Sequence, residues 1–376
     1  MTPDCLNQAI LVIVRYQIEV GMDPIERHRK GVAWWLFGMS AMVLGMIAVG
    51  GLTRLTESGL SMVDWRPLMG VVPPIGADAW NAVFDQYKAY PEYQKVNAGM
   101  TLSEFKFIFY FEYGHRILGR LIGMAFALPA LYFGIRGAFS ASFRNRIIIL
   151  FFLGGLQGVV GWWMVKSGLV DRPDVSHYRL TTHLGLAVFL YIALLWTAFR
   201  HARGVAKYDW SSAKWVGGLL AMVYCTLLSG GLVAGLNAGS QYNTFPLMGG
   251  KWIPDGLFIR TPWLSNLTEN LVTVQFNHRY LAITTSTLIL VFVVKTWSLV
   301  SKKQRWALLS MAAAVVLQVS LGISTLLTIV WVPLASMHQM GAILLISSLV
   351  WAMHELSIKE SVGTVENSLA VASERT

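Results

Sequence analysis

Apolar stretches of spanning length recur along the chain at about 32–52, 105–134, 146–166, 179–199, 214–235, 272–298, 306–329 and 335–356, each long enough to cross ~30 Å of hydrocarbon. Polar, Gly- and Pro-containing segments separate them, so the pattern predicts an all-α integral membrane protein with eight transmembrane helices. Two of the separating segments are long, 53–104 and 236–271, and their Pro, Trp, Gly and Asn content predicts ordered lids with short interfacial helices. The run AILVIV at 9–14 is too short to span, and 359–376 is polar.

The pattern also repeats. VGGLTRLTESG (49–59) matches SGGLVAGLNAG (229–239), FEYGHR (111–116) matches VQFNHR (274–279), LQGVVG (156–161) matches LQVSLG (317–322), and TTHLG (181–185) matches SMHQMG (336–341). The four matches fall in one order, and each repeat holds an even number of helices. The halves therefore share an orientation and are expected to be two four-helix units related by a pseudo-twofold axis along the membrane normal. The expected division is a cytoplasmic N-terminal extension at 1–30, an N-terminal half at 31–200, a C-terminal half at 201–357 and a disordered cytoplasmic tail at 358–376.

Composition agrees with the pattern: 55% of the 376 residues are hydrophobic and 13% charged. The net charge of +10 would fit nucleic acid, but the cations cluster between apolar runs, at Arg27, Arg29 and Lys30, then Arg136, Arg144 and Arg146, then Arg200, Arg203, Lys207 and Lys214, then Lys302, Lys303 and Arg305. That is the pattern that orients membrane helices, and it puts both termini on the cytoplasmic side and the long loops outside. Nucleic-acid binding is excluded. The absence of an Arg- and Ser-rich leader favours a bacterial inner-membrane protein. Cys5 and Cys225 lie on opposite sides of several spans, so no disulfide framework or CxxC pair is available.

The candidate chemistry lies inside the spans. His115 and His183 fall in the second and fourth helices, and His278 and His338 in the sixth and eighth, all towards the long-loop ends. Ionisable groups in lipid are costly and usually serve a function facing the bundle interior. Any one of them can be a structural histidine bonded between helices, but four, paired by the repeat, point to ligands. Zinc or copper would want further Cys or carboxylate donors; two imidazoles facing each other across four helices suit haem. At i+4 from the histidines stand Gly119, Ala187, Ala282 and Ala342, small residues that would leave room for a flat macrocycle.

Arg116 and Arg279 each follow a histidine and are candidates for haem propionate contacts or for snorkelling to the interface; Arg120 and Arg179 are weaker candidates. His28, His177, His201 and His354 are read as surface residues. A carboxylate stands beside only one of the matched histidines: Glu112 precedes His115 by three residues, whereas the uncharged Gln275 stands before His278. A carboxylate there is either half of a structural Glu-Arg pair or a participant in proton transfer and charge stabilisation. This asymmetry assigns chemistry to the first half and electron supply to the second.

The strings GGLTRLTESGLSMVDWRPLMGVVPP (50–74), EFKFIFYFEYGHRILGRLIG (104–123), GVVGWWMVKSGL (158–169), YRLTTHLG (178–185), YNTFPLMGGKWIP (242–254), VQFNHRYLAI (274–283) and LASMHQMGAILL (334–345) resemble the haem A synthase family, in its mitochondrial and proteobacterial branch. The resemblance runs from about residue 30 to 356. It implies a membrane oxidoreductase that oxidises the C8 methyl of haem O to a formyl group through successive hydroxylations, giving haem A for terminal oxidase biogenesis. It further implies substrate haem between His115 and His183, Glu112 assisting the reaction, and a haem b cofactor held by His278 and His338. Some bacterial members carry a cysteine pair in an outer loop that this chain lacks.

Haem O is the implied substrate; a handover from haem O synthase, the identity of the electron donor and a homo-oligomeric state are left open by the residues. A dihaem cytochrome b-type electron carrier and a transporter with proton-relay histidines are the competing classes.

Overall fold

The computed structural model describes residues 23–63, 71–169, 173–204 and 208–358. AILVIV and the tail from 359 onwards lie outside the described residues. Eight helices are long and apolar enough to cross a membrane: α1 Pro24–Leu55, α2 Leu102–Ile135, α3 Ala141–Lys166, α4 His177–Arg203, α5 Ala213–Gly235, α6 Leu271–Thr296, α7 Lys302–Leu327 and α8 Val332–Leu356.

Local chemistry sets where they begin. α1 starts earlier than its apolar run because Asp23 accepts from the Ile25 amide at 3.1 Å and Pro24 occupies the first turn, so Arg27, Arg29 and Lys30 lie within the helix rather than before it. Thr101 and Glu104 form a capping box at the start of α2, and Ser301 and Gln304 do so at α7. Asn270 accepts from the Val272 and Thr273 amides to open α6.

The packing carries the repeat into three dimensions. α1 packs against α2 and α4, α2 against α3, and α3 against α4; α5 packs against α6 and α8, α6 against α7, and α7 against α8. Between the units, α4 meets α5, α8 meets α1, and α4 meets α8. Exchanging α1–α4 for α5–α8 maps this set of contacts onto itself, which is what a pseudo-twofold requires. The main apolar cluster centres on that interface, with Leu36, Val188, Leu194, Met311, Ile346 and Leu349 among its fully buried side chains. α2 and α3 instead expose Leu128, Leu131, Phe152 and Val159, the surface expected against lipid tails.

The two long loops cap one end of the bundle. The first holds a helix at Gly76–Lys88, whose Trp80, Phe84 and Tyr87 pack on Phe105, Ile108 and Phe109 of α2 in a separate apolar cluster. The second holds short helical turns at Ala238–Ser240, Trp263–Ser265 and Asn266–Glu269.

Candidate haem-binding sites

The even-numbered helices all enter from the long-loop end, and α4, α6 and α8 carry His183, His278 and His338 about two turns in. His115 lies further along the longer α2. Within each unit the two histidine helices are diagonal neighbours, and the imidazoles come within electrostatic range of each other: His115 with His183, and His278 with His338. No pair crosses from one unit to the other in this arrangement. All four histidines are half-buried.

A glycine on the neighbouring odd-numbered helix stands against each ring. A Cβ on Gly50 would come within 3.2 Å of His115 Nε2, one on Gly161 within 3.1 Å of His183 Cε1, one on Gly230 within 3.0 Å of His278 Cε1, and one on Gly322 within 2.8 Å of His338 Cε1. Gly50 and Gly230 are matching positions of the repeat, as are Gly161 and Gly322. Sequence reasoning picked the small residues at i+4 instead, yet Gly119 faces Met46 of α1, where a Cβ would meet its Cε at 3.3 Å, and Ala187 packs on the main core. Gly50, Gly161, Gly230 and Gly322 all lie within the matched strings of the repeat.

These rings fit haem better than a bare metal ion. Among the described residues no cluster of three or more His, Cys, Asp or Glu could hold one. Two imidazoles per unit, each seated so closely on a glycine that a side chain there would collide with the ring, suit paired ligation of a haem. Among the described residues, the buried Nδ1 of His183 has no hydrogen-bond partner.

Glu112 is buried and its carboxylate is fully engaged. Oε2 accepts from Ser61 Oγ at 2.8 Å and from the Met62 amide at 2.7 Å, while Arg116 donates to Oε1 at 2.6 Å and to the Met62 carbonyl at 2.8 Å. The network joins α2 to the segment that follows α1. The second unit repeats it with an amide donor in place of the carboxylate acceptor: Gln275 donates to the Gly239 and Tyr242 carbonyls at 3.3 and 3.1 Å, and Arg279 donates to those of Tyr242 and Thr244 at 2.6 and 2.8 Å. Both arginines thus tie a loop to a histidine helix, a role that the sequence did not reveal.

Arg116 also borders a cleft of about 180 Å³ lined by Met62, Val63, Trp162, Val165, Lys166 and Leu169. Two cations among apolar walls suit an apolar ligand bearing carboxylates. Arg179 donates to the Trp163 carbonyl at 2.6 Å, near the same end of α3.

Of the histidines read as surface residues, His354 is buried in α8, where it stacks on Phe199 with ring centroids 5.4 Å apart. His201 likewise stacks on Phe143 at 4.4 Å. Aromatic partners on other helices, invisible to local pattern, draw both inward.

A family model described as cytochrome oxidase assembly protein, COX15-CtaA, matches residues 33–350. Heme A synthase of Nitrosospira multiformis is 47% identical over 339 residues, covering 87% of this chain and 94% of that protein. Heme A synthase of Parvibaculum lavamentivorans is 44% identical over 342 residues, covering 89% and 97%. Human Heme A synthase COX15 is 43% identical over 345 residues, covering 89% and 84%.

Proposed function

The chain belongs to the COX15-CtaA family of cytochrome oxidase assembly proteins, and we propose on that premise that it is a haem A synthase, a multi-pass membrane oxidoreductase that converts haem O to haem A. The observation that carries the reading is the set of four intramembrane histidines, two per unit, each backed by a glycine of the adjacent helix.

The substrate, haem O, belongs in the first unit between His115 and His183, with Glu112 as the catalytic residue. The side chains around it support this division. Glu112 is the one charged residue by which the matched motifs FEYGHR and VQFNHR differ, it lies one turn from His115, and a fixed anion lowers the energy of positive charge developing at a nearby carbon. Arg116 and Lys166, at the adjacent cleft, are suited to carboxylate groups of the substrate. Ser61 and Met62 hold the carboxylate in place through the loop.

Haem b belongs in the second unit, held by His278 and His338, where its chemistry is one-electron transfer. Gln275 is neutral, so this unit keeps the loop-fastening network without the charge. Arg279, which follows His278, would offer a cation to a carboxylate of the haem. The positive clusters at the opposite ends of the helices support an inner-membrane setting with both termini cytoplasmic and the haem sites towards the outer side.

A dihaem electron carrier gives no reason for a carboxylate in one unit only. Extraction of pigments from the purified protein tests the choice: haem b together with haem O or haem A supports the synthase, and haem b alone supports the carrier.

A further inference from the structure

Ser229 of α5 adjoins Gly230 and makes two hydrogen bonds. Its Oγ lies 2.7 Å from the Thr226 carbonyl oxygen and 2.8 Å from His278 Nδ1. A hydroxyl has one proton, and the carbonyl can only accept, so the proton goes to Thr226. The Oγ lone pair then faces Nδ1, which must carry the imidazole proton. Nε2 is left with its lone pair free, the state that a metal ligand needs.

The matching residue of the first unit is Val49, which has no hydroxyl. His115 also presents a different edge to its glycine, Nε2 and Cδ2 towards Gly50 where His278 presents Cε1 and Nδ1 towards Gly230. The two units therefore differ in how firmly one imidazole of each is preset.

Resting on the assignment of His278 to haem b, we propose that Ser229 is a positioning residue that fixes His278 as a ligand of the retained haem, and that Val49 leaves its counterpart adjustable for a haem that must enter and leave. A hydrogen bond from Nδ1–H raises the basicity of Nε2, which favours oxidised iron and lowers the midpoint potential. Loss of such an outer partner typically costs about 10- to 100-fold in metal affinity.

The test uses the full-length protein purified with its native haem. Ser229→Ala is expected to move the haem b midpoint potential in the positive direction and to reduce haem b retained through detergent washing about tenfold or more, while Ser229→Thr restores both. Val49→Ser is expected to increase the haem retained by the first unit. Unchanged potential and retention in Ser229→Ala, with haem b lost from His278→Ala, overturns the proposal alone. Haem b retained with an unchanged spectrum in His278→Ala overturns the ligand assignment, and the proposal with it.

Discussion

Glu112 and Arg116 stand one turn apart on α2 as a buried ion pair, with Oε1 and the guanidinium nitrogen 2.6 Å apart. The same carboxylate also holds Ser61 and Met62, so the charge beside His115 and the closure of the first loop depend on one side chain.

Removing either partner separates the two roles. Arg116→Ala leaves the Glu112 carboxylate buried without its cation and is expected to destabilise the protein by about 3–5 kcal/mol, read as a lowered unfolding temperature in detergent. Glu112→Ala is expected to keep haem b while haem A formation falls sharply; product formed at the normal rate would remove Glu112 from the chemistry.

The histidine pairs predict a clean division of spectra. His278→Ala should abolish the b-type spectrum of the second unit, whereas His115→Ala should leave it in place. A b-type spectrum that disappears in both variants would argue against separate sites.

Glycine substitutions test the backing of the rings. Gly322→Ala puts a methyl 2.8 Å from His338 Cε1 and is expected to lower haem b content, measured by haemochrome assay of the purified protein. Gly123→Ala meets nothing within 4 Å and should leave haem content unchanged. Equal losses in both would mean that general helix packing, not contact with the imidazole, is responsible.

The first lid carries its own pH dependence. Glu92 is buried and its carboxyl is pushed up to about 8 by burial, with the Tyr87 hydroxyl donating to it at 3.0 Å in opposition and the charges of Glu112, Glu57 and Asp174 adding to the rise. Between the ordinary value of 4.5 and about 8 the folded lid binds more protons than the unfolded one, so stability declines as pH rises through that window and levels off above it. Limited proteolysis across residues 76–97 should accelerate over this range, and Glu92→Gln should flatten the dependence.

Much of the architecture was legible in the chain. Eight spans, their loop lengths and the repeat follow from apolar runs and matched strings because lipid forces every backbone group into a helix, which leaves hydropathy as a direct record of topology. The four histidines were legible for a related reason: ionisable groups stand out where few are tolerated. The start of α1 was missed because Asp23 and Pro24 extend the helix beyond its apolar run. His354 was missed because its partner, Phe199, lies on α4.

The sequence by itself determined the number of helices and the matched motifs that repeat along them. Only the tertiary structure decided which glycines back the rings, that Glu112 fastens a loop while pairing with Arg116, and that Ser229 meets His278. Spans and repeats are written in local hydrophobicity and in short matched motifs. Contacts such as Ser229 with His278 join different helices, so they exist only once the packing of the bundle has set the neighbours and the rotation of each helix about its own axis.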